Sequence, residues 1–421
     1  MSLGSRGERR AAIVAGCRTP FCKSGTALKD ARAVDLARWA ARELLERSEL
    51  EPAEIDEVIF GQVVPSALVP NVAREVSLLP QFPKDIPAFS LNRACASGTQ
   101  AISAAVDQIV LGHADAILAG GTESLSDIPI LASRPLADAI VDASRAKSLS
   151  GRLRALARLR PRHFVPVAPA IAEPSTGESM GQSAEKMAKE NGVSREEQDR
   201  WALRSHTLAA AASADGRLTA EIAPWLPAKA GRPAITSDNG IRTDTTLPQM
   251  AKLKPVFDRT HGSVTAANSS PLTDGASAVL VMSEAKARAL GYEPLAFVRS
   301  YAVAAVDPGW QLLQAPVWAV PMALERAGIQ WSHLGLIEIH EAFAAQVLSN
   351  LKGFAEKGWG INEDIINVMG GSIAIGHPFG ATGGRIVTTL AHEMKRRDVE
   401  FGLVSICAQG GMGFAMVLER R

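Results

Sequence analysis

The sequence predicts an α/β fold in which two similar halves flank an inserted loop domain. Three observations carry this reading. Short apolar or β-branched runs recur between helical stretches, at 11–15, 58–61, 116–119, 278–282, 336–339 and 402–407, as when strands and helices share one core. The halves also look duplicated: Asp56 to Gly61 resembles Gly335 to His340, and Cys95 opening a small-residue helix resembles Gly376 to Gly384 opening another. Each then leads through a helix to a strand ending in Gly-Gly, at Gly120-Gly121 and Gly410-Gly411. Between them, from about Glu123 to Leu272, proline, polar turns and two helical stretches replace the alternating pattern. Strand ends of two similar halves meet in such folds, and catalytic groups with them.

The chain has 421 residues, 47% of them hydrophobic, and a formal charge of +1, enough core for two or three domains and no bias towards a polyanion, so no nucleic-acid partner is implied. Met1 to Arg10 is polar and rich in Gly and Arg and is expected to be a disordered or added tail. Four cysteines (Cys17, Cys22, Cys95, Cys407), no membrane-length apolar run and no signal-type start point to a reducing cytoplasmic compartment without disulfides.

Cys95 stands in Leu91-Asn92-Arg93-Ala94-Cys95-Ala96-Ser97-Gly98-Thr99, ahead of a helix whose apolar stripe reads Ile102, Val106, Ile109, Val110. A thiol there faces unpaired backbone N–H groups and the positive end of the helix dipole, which favour thiolate and nucleophile. The alternative is a buried structural cysteine.

Ser144 to His163 carries Arg145, Lys147, Arg152, Arg154, Arg158, Arg160 and Arg162 without an acid, and Leu149, Leu153, Leu156 and Leu159 give it an apolar side at helical spacing. It reads as a solvated amphipathic helix covering the core, or as a contact for anionic lipid, CoA phosphates or a partner subunit.

In the second half, His340 stands at a strand end within His340-Glu341-Ala342-Phe343. His377 stands among glycines at a helix start, where a bulky cofactor or thioester can approach the backbone, and Cys407 ends a strand before Gly410-Gly411-Met412-Gly413. Each alone reads equally as a packed, hydrogen-bonded residue. Together with Cys95 they occupy equivalent ends of duplicated elements. No set with metal-ligand spacing and no dinucleotide fingerprint is visible, so no metal is expected.

These segments resemble the thiolases over essentially the whole chain: Asn92 to Thr99 the nucleophile motif, Gly376 to Gly384 the Gly-His-Pro motif, Cys407 to Gly413 the C-terminal Cys-Gly-Gly motif. Most thiolases carry Asn where this chain has His340. The His form, with Ser175 to Glu178, Val264 to Ser270 and the basic insert, resembles the thiolase subunit of fatty-acid-oxidation trifunctional complexes. The resemblance implies a five-layered αβαβα core with an N-terminal half over 1–124 plus 273–293, a loop domain over 125–272 and a C-terminal half over 294–421. It also implies a homodimer or tetramer and a hydratase/dehydrogenase partner subunit.

It further implies an acetyl-CoA C-acyltransferase that thiolyses 3-ketoacyl-CoA by a ping-pong route, with CoA as a substrate and no permanently bound cofactor. Cys95 would be acylated. His377 would take its proton and help bind the thioester oxygen, Cys407 would serve the substrate α-carbon, and His340 would hold the water or oxygen that the family's Asn holds. Backbone N–H groups of Cys95 and Gln409 would form the other oxyanion site, although Gln409 replaces the usual Gly. Arg242 matches a residue at the adenosine phosphate, while Ser270, Met180 and Phe343 match the pantetheine and thioester pocket, where Ser179 replaces a common His. The other readings are a biosynthetic acetoacetyl-CoA thiolase, a decarboxylating ketosynthase-like enzyme, which has no use for Cys407, and a non-catalytic assembly subunit.

Overall fold

Successive residues along the strands enter different cores, so both faces of each sheet are covered. The computed structural model describes residues 9–167, 172–227 and 231–421. Its strands are β1 (Ala11–Arg18), β2 (Cys22–Lys23), β3 (Glu57–Gly61), β4 (Ala88–Leu91), β5 (Ala116–Glu123), β6 (Thr273–Ser283), β7 (Ala296–Ala305), β8 (Leu336–Ile339), β9 (Phe401–Ala408) and β10 (Met412–Glu419). They run in the order β4-β3-β5-β6-β1-β7-β10-β9-β8, with β2 paired to β6.

The duplication is visible in the pairing. In the first half β4, β3 and β5 are parallel, and β6 and β1 follow antiparallel. In the second, a bridge at Ile366 joins β8 in parallel, β8 joins β9 in parallel, and β10 and β7 follow antiparallel. The strands of the two halves join through two β1–β7 pairs, Ala12↔Phe297 and Ile13↔Ala296.

Alternation along the strands sets the layers. Ile13, Ile59, Ile117, Val404 and Phe414 pack with Ile102 and Ile386 between the sheets. Their neighbours Ala12, Val58 and Leu118 pack outward with Leu36 and Leu44, and Leu403, Ala415 and Val417 pack with Val317, Val320 and Leu324. Helix Ala33–Ser48 therefore covers the first sheet and helix Pro316–Ala327 the second, while helices Ser97–Val110 and Thr382–Arg397 lie together in the middle. The result is the five-layered order expected from the sequence.

The central helices meet at backbone contact. A Cβ on Gly98 would sit 2.6 Å from the Gly380 carbonyl oxygen, and one on Gly383 2.2 Å from the Thr99 nitrogen. This corrects the expectation for the glycines after His377: the chain's own backbone, not a cofactor, fills the space beside them.

Three further expectations change. Residues 1–8 of the expected tail lie outside the described residues, but Arg9 and Arg10 are held: Arg9 donates to Ile109 O and pairs with Asp115, and Arg10 lies over the Phe297 ring and pairs with Glu419. Between β5 and β6, six α-helices among the described residues replace the expected two. Residues 144–163 are not one helix covering the core. Helix Arg134–Arg145 ends there, Leu149–Leu156 follows behind its Ser148 cap, and Leu149, Leu153 and Leu156 face solvent. Among the described residues no helix is long and apolar enough to cross a membrane.

Candidate active site

The turn after β4 is built to present Cys95. Asn92 Oδ1 accepts from the Ala94 N–H at 2.8 Å and its Nδ2 donates to Val63 O at 3.1 Å. Ser97 Oγ accepts from the Arg93 N–H at 2.8 Å and donates to Ala94 O at 2.7 Å. These bonds hold Ala94 at φ +46°, a left-handed conformation that costs a non-glycine residue about 1–2 kcal/mol. Cys95 then stands two residues ahead of the helix that begins at Ser97.

The other half brings two imidazoles to this turn. His340 follows β8, and its N–H is bonded to Ser405 O of β9 at 2.8 Å. His377 follows Gly376, and its N–H is bonded to Thr273 Oγ1 at 3.1 Å. The Cys95 Sγ and a ring nitrogen from each histidine lie within 4.8 Å of one another. Cys95, His377, Cys407, Gln409, Met180, Ser270 and Phe343 line one cavity of about 90 Å³. Arg242 does not line it: it is exposed, with its N–H on His206 Nδ1 at 3.3 Å. Ser179 caps the helix that begins at Met180, its Oγ accepting from the Gln182 N–H.

His377 Nδ1 lies 2.6 Å from Thr382 Oγ1, whose own hydrogen goes to Pro378 O at 3.1 Å. The threonine oxygen therefore accepts, Nδ1 carries the hydrogen, and the unpartnered, buried Nε2 is left with its lone pair.

Cys95, Cys407, His340 and His377 are each pushed towards neutrality. Burial drives the Cys95 thiol up to about 12, against the pull of the Gln409 and Cys95 backbone N–H groups. Burial thus opposes the thiolate that the helix start was expected to favour, desolvation outweighing the backbone N–H groups. Burial, then the neighbouring Cys95, raises Cys407 well above its ordinary value. Burial, then the Arg385 guanidinium, lowers His377 to about 3, and burial, His377 and Arg385 hold His340 well below its ordinary value.

Supporting residues escaped the sequence reading. Glu341, fully buried, accepts from Trp201 Nε1, Ser205 Oγ, Asn367 Nδ2 and the Ile373 N–H, fixing the turn after His340. Glu173 accepts the Gly410 N–H at 2.9 Å and Gln409 Nε2 donates to Ala172 O at 2.8 Å, so the inserted segment holds the turn after Cys407. Thr382, Ser372 and Arg385 stand behind the imidazoles. Thr382, opening a glycine-rich helix, was the available signal among them.

The family model for the thiolase N-terminal domain matches residues 11–285, and that for the thiolase C-terminal domain matches residues 292–420. The chain is 48% identical to a 3-ketoacyl-CoA thiolase of Aeromonas salmonicida and 49% identical to one of Yersinia pestis, each over 100% of this chain and 99% of the relative. Among solved structures it resembles the Bacillus anthracis acetyl-CoA acetyltransferase, with a TM-score of 0.88, 35% identity, and 99% and 100% of the two chains covered. It also resembles human mitochondrial 3-ketoacyl-CoA thiolase, with a TM-score of 0.83, 34% identity, and 98% and 99% covered.

Proposed function

The chain belongs to the thiolase family and is an acyltransferase, and from that premise we propose how its residues divide the CoA-dependent cleavage of a 3-ketoacyl-CoA into acetyl-CoA and a shortened acyl-CoA. Cys95 Sγ attacks the keto carbon while His377 Nε2 takes the thiol proton, so charge separates only as the bond forms. The keto oxygen becomes an oxyanion facing the backbone N–H groups of Cys95 and Gln409. The bond between the keto carbon and the α-carbon then breaks, its electron pair passing into an enolate whose oxygen faces His340 and His377. Cys407 delivers a proton to the α-carbon and acetyl-CoA leaves. The proton held by His377 passes to the Cys407 thiolate; CoA then takes the acyl group from Cys95, its thiol proton passing to the freed His377 Nε2 and on to the departing Cys95 thiolate, which closes the cycle. Each aimed donor is worth roughly 3–4 kcal/mol of barrier when removed, and splitting the reaction through an acyl-enzyme gives ping-pong kinetics. Condensation is the same path reversed.

The observation that supports this most is the meeting of Cys95, His340 and His377, with Cys95, His377 and Cys407 lining one cavity and His340 buried behind it. A proton source at the α-carbon suits thiolysis and has no task in a decarboxylating condensation. The test is mass spectrometry after incubation with an acyl-CoA. A thioester on the Cys95 peptide is expected, and an acyl group found elsewhere with an active Cys95→Ala enzyme overturns the reading.

Met180, Ser270 and Phe343 would receive the pantetheine and thioester, and Arg242, on the surface, the adenosine phosphate; no permanently bound cofactor or metal is required. The division into 1–124 plus 273–293, 125–272 and 294–421 belongs to this proposal, as do a homodimer or tetramer and a cytoplasmic setting. The exposed leucines and seven positive charges of 144–163 supply a contact for anionic lipid or a hydratase/dehydrogenase subunit.

A further inference from the structure

His340 is held differently from His377. Its Nδ1 lies 2.9 Å from Ser372 Oγ, and that oxygen already accepts from Arg385 Nη2 at 3.0 Å. No other partner of Ser372 Oγ is present among the described residues, and Ser372, His340 and Arg385 are completely buried. A hydroxyl has one hydrogen to give. With a guanidinium able only to donate on its other side, the serine hydrogen goes to His340 Nδ1, and the imidazole carries its own hydrogen on Nε2. That Nε2 is buried and without a partner among the described residues, and a ring nitrogen of His340 lies within 4.8 Å of Cys95 Sγ and of a ring nitrogen of His377.

We propose that Ser372 and Arg385 are positioning residues that hold His340 in its Nε2–H form, so that His340 donates to the substrate oxygen while His377, in the opposite form, accepts the Cys95 proton. The inference rests on the thiolase reading above. Two adjacent imidazoles free to choose tautomers would populate arrangements in which both accept or both donate, and only one of the four serves the reaction. The buried guanidinium removes that choice. It is itself held by Glu338 Oε2 at 3.4 Å, with Glu221, Glu341 and Arg18 as its further charged neighbours. The same relay disfavours a metal ion among Cys95, His340 and His377: one of the three donors carries a hydrogen where a ligand needs a lone pair, and a buried cation stands behind it.

Nitrogen-correlated NMR spectra of the labelled imidazoles report the tautomers directly. The wild type should show the hydrogen on Nε2 of His340 and on Nδ1 of His377. Ser372→Ala should mix the His340 forms and lower kcat for thiolysis roughly 10- to 100-fold with little change in KM, since the lost donor acts in the transition state. Ser372→Thr, which keeps the hydroxyl, should recover most of the turnover. Arg385→Gln removes the positive charge that both rings face, so the acid limb of the kcat profile should move to higher pH, and Arg385→Lys should move it back. Should Arg385→Gln fail to fold, the Ser372 pair decides. A hydrogen on Nδ1 of wild-type His340, or Ser372→Ala with wild-type kcat and tautomer, overturns the proposal. Mass analysis of Cys95 acylation on the same samples separates the two ideas. Absent acylation in the wild type sinks the thiolase reading, whereas intact acylation with an unaffected Ser372→Ala sinks only the relay.

Discussion

The His340 and His377 rings lie 4.1 Å apart, centroid to centroid, inclined at 47°, and each is anchored through Nδ1 by a hydroxyl on a different helix, Ser372 or Thr382. Both Nε2 atoms are thereby left free. Replacing His340 with Asn keeps an N–H donor and restores the commoner family residue, so turnover should partly persist. Ala removes the donor and should cost about 100-fold or more. Steady-state thiolysis of both variants checks the order, and wild-type turnover in both would leave His340 as packing alone.

Among the four thiols only Cys95 should form an acyl-enzyme. Cys17 is fully buried and donates to Ala40 O at 3.3 Å, and Cys22 is also buried; neither lines the cavity that Cys95 shares with His377. Peptide mapping after acylation should find Cys95 modified and slower to alkylate, with Cys17 and Cys22 unmodified. Acylation of either of those two would contradict the assignment.

The resting site should be uncharged. Thiolate absorbance of the wild type minus Cys95→Ser should stay flat from pH 7 to 9, well short of the Cys95 value of about 12; a rise in that window would reveal an ion pair. The linkage sign for His377 follows from its lowered value of about 3. Its contribution to stability is present above the ordinary histidine value near 6.5 and is lost as pH falls towards 3. Urea midpoints should therefore fall more steeply over that window in the wild type than in His377→Asn.

Six strands, β1, β3, β5, β6, β8 and β9, and the four residues proposed for the chemistry were legible because each leaves a local mark: apolar runs buried on both faces, a Cys before a small-residue helix, a His at a strand end; β2, β4, β7 and β10 were not read. Ser372 and Arg385 left none. A serine after Gly370-Gly371 reads as a turn residue, and Arg385 looks like a surface charge until Glu338, 47 positions away in the sequence, is seen against it. Desolvation of Cys95 was invisible for the same reason, since its walls include Met180, Phe343 and Gln409 from distant segments. The leucine spacing at 149–159 misled because periodicity reports an apolar face and not what covers it.

That uncovered face yields a prediction of its own. Neutralising Arg152, Arg154, Arg158 and Arg160 should weaken association with anionic vesicles or a partner subunit while thiolysis of short substrates is unchanged. Added salt should act likewise, because exposed charges are screened beyond about 10 Å at 0.1 M. Co-sedimentation and co-purification report the two arms, and indifference in both would reduce 144–163 to a solvated surface.

In the proposed mechanism Cys407 separates the half-reactions. It is 1% exposed, pairs across the β9–β10 hairpin with Gly413, and lines the cavity beside Cys95. Acyl transfer from a simple acyl-CoA to Cys95 moves no proton at an α-carbon, so Cys407→Ala should still acylate. Carbon–carbon cleavage releases an enolate that must be protonated, and condensation must form it, so both should fail in the variant. The loss should fall on kcat and leave KM nearly unchanged, since the thiol acts in the transition state and adds little to ground-state binding. Mass spectrometry of the acyl-enzyme and loss of 3-ketothioester absorbance, measured on one preparation, give both numbers. Full thiolysis by Cys407→Ala would remove the residue from the chemistry, and malonyl-dependent condensation by the wild type would reassign the enzyme to the decarboxylating class.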